Sequence, residues 1–404
     1  MEGVGIATIR NGVGMIIEPR VRGFICTTAH PAGCARNVRD QIAYVLQQGP
    51  VPACPKRVAV LGCSTGYGLA SRIVATFAGG AETIGVSLER EPSANRTGSA
   101  GWYNNRAFEI EARKIGRSPL TLEGDAFSND LKKTFIDHVR ERFGQLDMLV
   151  YSMAAPVRTD PETGRTYRSA IKPLGAPVEV KTLNTETGVV SEATLAPASE
   201  DEATATVAVM GGDDWKRWID QLADAGVLAP GFQTLNYTYI GSELTWPIYW
   251  QGTLGRAKVD LDRKAEDIRG RLGENAARVV ALKAVVTQAS SAIPVVPLYG
   301  TVLFKVMKQL ALHEGCIEQI ARLFRTRLGP DVEVDEEQRI RLDDWELSPE
   351  VQAEVRRRWP LLSTETLGEL ADLPEYKSQF LRLFGFGIDG VDYSQDVDPR
   401  VVPG

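Results

Sequence analysis

The sequence has few of the residues that build metal sites and disulfide frameworks. Its 404 residues include only three histidines, His30, His138 and His313, and five cysteines without a C-x-x-C pair. We therefore expect neither a histidine-rich catalytic metal site nor a structural zinc site. The odd number of cysteines favours reduced thiols and a cytoplasmic location over a secreted domain held by disulfides.

Long apolar runs and long basic runs are missing as well. No stretch of about 18 apolar residues occurs, so no membrane span is expected. The segment from Met1 to Met15 lacks the apolar core of a signal peptide. The net charge is −6 at pH 7 without a basic cluster, which argues against a nucleic-acid partner. Because few exposed apolar runs are recognisable, we expect a monomer.

Short apolar runs alternate with helical patterns through most of the chain. Strands are predicted at 58–61, 83–86, 120–122, 148–151, 233–237 and 279–286, with helices such as 107–114 and 129–143 between them. Strands that alternate with helices form parallel sheets through crossover connections. The sequence therefore predicts an α/β fold, a Rossmann-type doubly wound parallel sheet with helices on both faces.

The length permits two domains or one large domain with elaborations, and we expect a single domain over 1–404. Its parts are an extension at 1–14, an N-terminal elaboration at 15–55, a dinucleotide-binding core at 56–329, and a helical C-terminal elaboration at 330–404. Residues from about 157 to 206 are rich in Thr, Pro, Glu and Gly and interrupt the core. This insertion is predicted to form one or two β-hairpins, either as a lid over the substrate or as a mobile surface loop.

A glycine cluster follows the first core strand. It reads Gly62-Cys-Ser-Thr-Gly66-Tyr-Gly68 and precedes a helical apolar pattern. A strand, a glycine turn and a helix place the pyrophosphate of a dinucleotide at the helix N-terminus, where free N–H groups and the helix dipole attract negative charge. The spacing differs from the commonest dinucleotide fingerprint, and a plain tight turn is the alternative.

Glu89 lies about 20 residues beyond the glycine cluster, where dinucleotide-binding proteins carry an acidic residue. A carboxylate at this position accepts hydrogen bonds from both hydroxyls of the adenosine ribose. It repels the 2′-phosphate of NADP. The sequence therefore predicts NADH as cofactor in preference to NADPH.

Small residues after later strands extend the predicted nucleotide site. Asp125 would accept a hydrogen bond from the adenine amino group, or else it caps a helix or a turn. The predicted cofactor contacts are Gly62, Cys63, Ser64, Thr65, Gly66, Tyr67, Leu88, Glu89, Asp125, Ala126, Met153, Ala154, Lys258, Thr287, Gln288 and Ala289.

Tyr249 and Lys258 form a Y-x8-K pair. Lys258 lies three residues before Leu261 on the apolar face of a predicted helix, where a lysine needs a partner such as a ribose diol or a phenol. A lysine whose charged end reaches solvent is the alternative. In one continuous ideal helix, a separation of nine residues would place Tyr249 and Lys258 on opposite sides. Because Pro247 and Gly252 allow the helix to break, we expect Tyr249 to lie on a loop or a separate turn.

Several segments from Met15 onward carry a family resemblance. They include Trp246-Pro-Ile-Tyr-Trp250, and the full set is 15–34, 66–70, 100–104, 209–212, 239–241, 246–250, 257–262, 286–294, 312–319 and 384–387. With them the chain resembles the trans-2-enoyl-CoA reductase family, which includes the FabV-type enoyl-acyl-carrier-protein reductases. The resemblance implies reduction of the C2=C3 double bond of a trans-2-enoyl thioester by NADH. The substrate is an acyl thioester, and acyl carrier protein is a candidate partner.

The resemblance also implies roles for individual residues. Tyr249 would donate to the thioester oxygen and supply a proton to the α-carbon. Lys258 would bind the nicotinamide ribose and lower the pKa of the phenol, and Tyr239 would help to hold the thioester. Family members often carry lysine after the ribose-binding glutamate, whereas this chain has Arg90. That difference weakens discrimination against NADPH.

Two other functions fit parts of the pattern. A ketoreductase of the short-chain type pairs tyrosine with lysine at Y-x3-K spacing, but Thr253 occupies that position here. A non-catalytic NAD-binding sensor would need only the nucleotide site. Turnover of crotonyl-CoA compared with acetoacetyl-CoA separates the three functions.

Overall fold

The computed structural model describes residues 14–329 and 331–404. The strands are β1 (Val21–Arg22), β2 (Ile25–Cys26), β3 (Arg57–Leu61), β4 (Glu82–Ser87), β5 (Leu120–Glu123), β6 (Leu146–Tyr151), β7 (Val157–Thr159), β8 (Thr166–Arg168), β9 (Val178–Leu183), β10 (Val190–Leu195), β11 (Leu228–Thr238), β12 (Ala277–Ala281) and β13 (Ile340–Arg341).

Helices connect most of these strands. They are α1 (Pro31–Gln47), α2 (Gly66–Ile73), α3 (Ala100–Lys114), α4 (Asn129–Arg142), α5 (Glu200–Met210), α6 (Asp213–Asp224), α7 (Thr253–Leu272), α8 (Gln288–Ser291), α9 (Val296–Gln309), α10 (Cys316–Thr326), α11 (Pro349–Arg358), α12 (Leu367–Leu370) and α13 (Leu373–Arg382). A π-helical turn, Val74–Ala78, extends α2.

Seven strands form one parallel sheet in the order β13-β12-β11-β6-β3-β4-β5. This sheet confirms the predicted fold class. One predicted strand is too long, because 279–286 was expected and β12 ends at Ala281. The neighbours of β12 make their last pairings with Ala281, so the chain beyond it has no ladder to continue.

Alternating side chains of the central strands bury two faces of the sheet. Val58 and Val60 pack into an apolar cluster with α1, α2, α3 and α10. Ala59 and Leu61, which point the other way, pack with α4, α6 and α7. Helices therefore cover both faces, as the sequence predicts, and the carboxyl ends of the strands remain available for ligands.

The insertion forms two β-hairpins, β7–β8 and β9–β10. It ends earlier than the predicted residue 206, because α5 begins at Glu200 behind a capping box of Ser199 and Glu202. The second hairpin is tied to the C-terminal region, since the ammonium of Lys181 donates to the carbonyls of Trp359, Pro360 and Leu362 at 3.1–3.3 Å.

A third apolar cluster joins both ends of the described chain to α9. It contains Ile17 and Cys26 from the N-terminal region and Val351, Leu362 and Phe380 from the C-terminal region. The C-terminal elaboration, which was predicted to be helical, also supplies the edge strand β13. Near the N-terminus, Met15 forms an isolated antiparallel bridge with Val397.

The sequence also predicts an N-terminal extension and no membrane span. Residues 1–13 of the predicted extension at 1–14 lie outside the described residues. Among residues 14–329 and 331–404, no helix combines the length and the apolar character needed to cross a membrane.

Candidate functional site

The glycine turn lies between β3 and α2, as its pattern predicts. Gly62 and Gly66 have φ of 78° and 54°, in a backbone region that residues with a side chain rarely adopt. A Cβ on Gly68 would lie 2.0 Å from the Gly62 carbonyl oxygen, so only glycine permits this close approach. Within the described residues no side chain caps the N-terminus of α2, which leaves its first N–H groups for an anionic ligand.

Glu89 directs its carboxylate towards this turn. One oxygen accepts a hydrogen bond from the Ser64 hydroxyl at 2.6 Å, and the other accepts from the Ser99 hydroxyl. A Cβ on Gly101 would lie 2.0 Å from the carboxylate, so the glycine makes room for it. Two hydroxyl donors fix the carboxylate and leave further lone pairs for a ribose diol.

A cavity of about 300 Å³ lies beside the glycine turn and Glu89. Five of the predicted cofactor contacts line it, namely Thr65, Gly66, Glu89, Thr287 and Gln288. The open helix N-terminus, the fixed carboxylate and the adjoining cavity together fit a dinucleotide such as NADH.

Other predicted cofactor contacts do not line this cavity. Met153 lies against the turn, since a Cβ on Gly62 would be 3.3 Å from its Cγ. One oxygen of the Asp125 carboxylate accepts from the Phe127 N–H at 2.9 Å, as the turn interpretation predicts, and the adenine contact stays a prediction. The remaining members outside the cavity lining are Gly62, Cys63, Ser64, Tyr67, Leu88, Ala126, Ala154, Lys258 and Ala289.

Tyr67 and Cys63 direct their side chains away from the cavity. The Tyr67 hydroxyl donates to the Lys283 carbonyl at 2.9 Å and accepts from Gln319 at 2.7 Å. The Cys63 side chain is buried in the cluster between the sheet and α2. Any contact of these two residues with a nucleotide would therefore be made by their backbone N–H groups.

Part of the cavity wall was not predicted from the sequence. It comprises 25–29 from the N-terminal region, Arg90, 98–101 and the pair Leu383 and Phe384. Only the small residues at 98–101, close behind Glu89, offered a local signal. The other segments come from distant parts of the chain, and their approach depends on the third apolar cluster.

Tyr249 lies in a turn at 243–251, directly before α7. This confirms the prediction of a separate turn. Its carbonyl accepts from the Gly255 N–H at 2.9 Å, so the turn folds back onto the first turn of α7. A Cβ on Gly255 would lie 1.6 Å from the Trp250 carbonyl oxygen, which makes glycine necessary for this contact.

The Tyr249 side chain is 6% exposed. Its hydroxyl makes no hydrogen bond within the part of the chain that the structure describes, and burial raises its pKa. Burial is the cause of this shift, and the expectation that Lys258 lowers the pKa of the phenol stays a prediction. A phenol that stays protonated at neutral pH is suited to donate a hydrogen bond or a proton.

Lys258 lies in the second turn of α7 and is half-buried. Burial lowers its pKa to about 8, and the nearby Asp262 carboxylate opposes this shift. Asp262 is itself held by Arg339, through two hydrogen bonds of 3.0 and 2.6 Å. No residue of 14–329 or 331–404 accepts a hydrogen bond from Lys258, so its ammonium is available to a ligand.

Tyr239 follows β11 and packs edge-on against Tyr249, with ring centroids 5.0 Å apart. Its hydroxyl donates to the buried Glu346 at 3.0 Å. The Thr253 hydroxyl, four residues after Tyr249, donates to the Ala170 carbonyl at 2.5 Å. Thr253 therefore does not replace the lysine that a Y-x3-K pair would require.

The two halves of the site share one edge of the sheet. The glycine turn follows β3 and the segment with Tyr249 follows β11, with β6 between these strands. In parallel sheets ligands bind beyond the carboxyl ends of the strands. A dinucleotide at the glycine turn and an unpaired phenol therefore occupy the same side of the molecule, the arrangement that a reductase needs.

Three family models match the chain. The "Trans-2-enoyl-CoA reductase catalytic region" matches 96–328, and the "NAD(P)H binding domain of trans-2-enoyl-CoA reductase" matches 16–94. The "Enoyl reductase FAD binding domain" matches 334–397. All of 334–397 is described, and it has no glycine turn between a strand and a helix, while Tyr376 and Phe380 are packed into the core. Its residues do not fit a flavin site.

Curated relatives and solved structures agree with these models. An "Enoyl-[acyl-carrier-protein] reductase [NADH] 1" of Vibrio parahaemolyticus is 55% identical over 96% of this chain and 98% of its own length. An "Enoyl-[acyl-carrier-protein] reductase [NADH] FabV" of Aeromonas salmonicida is 54% identical, covering 96% and 98%. The Treponema denticola trans-2-enoyl-CoA reductase in complex with NAD is 46% identical, with a TM-score of 0.92 over 95% of this chain and 98% of that one. The chain belongs to the trans-2-enoyl-CoA reductase family, as its sequence motifs predict.

Proposed function

We propose that this protein reduces the C2=C3 double bond of trans-2-enoyl thioesters with NADH. The observation that carries the proposal is the buried phenol of Tyr249, which has no hydrogen-bond partner among the described residues and lies on the turn that leads into the helix of Lys258. The segment with Tyr249 follows β11, at the edge of the sheet where the glycine turn follows β3 beside the cavity. Relatives named enoyl-acyl-carrier-protein reductase [NADH] at 55% identity support the same activity.

The nucleotide is held by groups that match its charges and hydroxyls. The N-terminus of α2 receives the pyrophosphate, because its unpaired N–H groups and the helix dipole favour an anion. Glu89 accepts from the adenosine ribose, and Lys258 donates to the nicotinamide ribose. When bound, NADH supplies the hydride that adds to the β-carbon of the enoyl group.

Tyr249 acts on the substrate. As hydride reaches the β-carbon, negative charge develops on the thioester oxygen, and a hydrogen bond in a buried pocket stabilises that charge. Tyr249 donates this bond and supplies the proton that the α-carbon takes up. The products are a saturated acyl thioester and NAD⁺, so one hydride and one proton are accounted for.

The carrier of the acyl group and the assembly state are further proposals. Coenzyme A and acyl carrier protein present the same thioester, and we propose that both serve as carriers. Arg165 and Arg168 are basic residues of the insertion that can contact a phosphate of the carrier, whereas Lys172 pairs with Glu202 at 2.6 Å. We also propose a cytoplasmic monomer, which size-exclusion chromatography with light scattering tests.

Steady-state NADH oxidation tests the activity. We expect turnover with crotonyl-CoA and with an enoyl-acyl-carrier-protein thioester, and little turnover with acetoacetyl-CoA. A ketoreductase would show the reverse preference. NADH binding without turnover on any enoyl thioester would identify a sensor and refute the proposal.

Tyr249→Phe tests the role of the phenol. We expect NADH affinity to be retained and kcat to fall by about a hundredfold or more, as for loss of a transition-state donor. Tyr44→Phe is the control, because Tyr44 is a half-buried phenol on α1, away from the cavity. Near-normal turnover of Tyr249→Phe would remove this residue from the mechanism.

A further inference from the structure

A buried carboxylate lies behind the two tyrosines of the site. Glu346, between β13 and α11, is 0% exposed. One of its oxygens accepts from the Tyr239 hydroxyl at 3.0 Å and from the Tyr299 hydroxyl at 2.8 Å. The other accepts from the Ala284 N–H at 2.6 Å. Three donors from separate parts of the chain therefore converge on one side chain.

The surroundings of Glu346 hold it in a single position. Gln352 donates to the Glu346 carbonyl at 2.7 Å and to the Tyr299 hydroxyl at 3.1 Å. The Lys283 ammonium donates to the Ala284 carbonyl at 2.7 Å, next to the N–H that binds the carboxylate. Burial raises the pKa of Glu346, whereas these donors and the Lys283 charge favour its ionised form.

The hydrogen bond of Tyr239 limits what this residue can do. A phenol has a single proton to donate, and that of Tyr239 is directed to Glu346. That bond fixes the orientation of the Tyr239 ring. Tyr249 has no such bond within the described residues, and its ring packs against Tyr239 at 78° between the ring planes. The two phenols of the site are therefore not equivalent.

We propose that Glu346 is a positioning residue for the reductase site. It fixes Tyr239 edge-on against Tyr249, and so orients the two phenols of the site. The inference rests on the proposed function. It also gives the C-terminal segment a part in catalysis that involves no flavin.

A double-mutant cycle tests this role. Glu346→Gln, Tyr239→Phe and the double variant are compared with wild type for crotonyl-CoA reduction. We expect Glu346→Gln to lower kcat by about tenfold or more, because the amide cannot accept all three donors. The KM for NADH should change by less than about twofold, since Glu346 does not line the nucleotide cavity. When Tyr239 is already phenylalanine, adding Glu346→Gln should lower kcat by less than about twofold, because Glu346 acts through Tyr239.

Glu314→Gln is the matched control. Glu314 is another buried carboxylate, 3% exposed, and it pairs with Arg322 at 2.9 and 2.8 Å rather than with a tyrosine of the site. Its variant should keep kcat within about threefold of wild type. An equal loss of kcat in both variants would show a general structural effect and overturn the proposal. The proposal would also be overturned if the loss of kcat in the double variant equalled the product of the losses in the two single variants.

Glu346→Asp covers the case in which the glutamine variant does not fold. It keeps the charge, but the shorter side chain cannot reach Tyr239 and Ala284 together. We expect a loss of kcat at unchanged KM for NADH, and full wild-type kcat would contradict the proposal. An active wild type with unaffected variants refutes only this inference, whereas an inactive wild type refutes the proposed function with it.

Discussion

At the scale of single residues, burial decides the protonation states of the site. It raises the pKa of Tyr249 and lowers that of Lys258 to about 8, so each group favours its neutral form more than it would in water. A neutral phenol is the form that donates a proton. A lysine near its pKa retains its charge at neutral pH and loses it under mildly alkaline conditions.

This pKa predicts that NADH affinity depends on pH. Below about 8 the Lys258 ammonium is charged and can form the proposed hydrogen bonds to the ribose hydroxyls, and above that value it is neutral. We expect the Kd for NADH to rise about fivefold as the pH increases through this range, since a charge-assisted hydrogen bond is lost. Fluorescence titration of NADH across this range measures the change.

Lys258→Met should remove most of that pH dependence. Lys283 is the control, because burial lowers its pKa to about 8 as well, but its ammonium donates to the Ala284 carbonyl outside the cavity. Lys283→Met should keep the pH dependence of NADH binding. If Lys283→Met removed the pH dependence of NADH binding and Lys258→Met kept it, Lys283 would be the group that titrates.

Glu89 predicts the choice between NADH and NADPH. Its carboxylate is held by Ser64 and Ser99, so a 2′-phosphate would meet a fixed negative charge. We expect Glu89→Gln to raise kcat/KM for NADPH relative to NADH by about tenfold, because a repulsive contact is removed beside Arg90. Glu91→Gln, which alters an exposed acid two residues away, should leave the ratio unchanged. Equal efficiency of the wild type with both cofactors would show that the ribose assignment is wrong.

At the scale of elements, two glycine contacts bring the site together. Gly68 lets α2 approach the glycine turn, and Gly255 lets α7 approach the turn that carries Tyr249. The glycine turn was predictable, because spacing and flanking strand and helix patterns define it locally. The contact of Gly255 with Trp250 was not predictable, since a helical glycine carries no sign of which backbone lies against it.

Gly255→Ala tests the second contact. The added Cβ would lie 1.6 Å from the Trp250 carbonyl oxygen, so the turn with Tyr249 must move away from α7. We expect a loss of about 1–3 kcal/mol of stability and a fall in kcat larger than the change in the KM for NADH. Thermal unfolding and steady-state kinetics measure the two effects.

Gly270→Ala in the same helix is the control with the opposite sign. A Cβ at Gly270 meets no atom of residues 14–329 or 331–404 within 4 Å. Alanine should therefore stabilise α7 by about 0.5–1 kcal/mol through its better helix propensity, and turnover should not change. Equal behaviour of the two variants would mean that the close approach at Gly255 does not matter.

At the scale of the whole molecule, the C-terminal region completes the structure. It supplies β13 to the sheet, packs into the third apolar cluster and binds the inserted hairpin through Lys181. These connections favour the single domain predicted from the sequence. The prediction awaits a measurement of how the chain unfolds.

Leu362→Ala measures whether the chain unfolds as one unit. Leu362 is 3% exposed in the third cluster, and its loss should cost about 2–4 kcal/mol. In a single domain, urea unfolding followed by circular dichroism and by tryptophan fluorescence should shift together as one transition. Leu361→Ala is the control, because this neighbour is 54% exposed and should change stability by less than about 0.5 kcal/mol. Two separate transitions would show that the C-terminal region is a domain of its own.

The sequence by itself determined the class of fold, the family, the glycine turn followed by Glu89, and the separate turn that carries Tyr249 before the helix of Lys258. Each of these depends on residues close together in the chain, where strand period, helix period and turn chemistry leave a readable pattern. Only the tertiary structure decided that Glu346 binds Tyr239, that Arg339 holds Asp262, and that residues 25–29 and Phe384 close the cavity. These partners lie far apart in the chain, and they meet because apolar packing of the terminal regions against α9 brings them together.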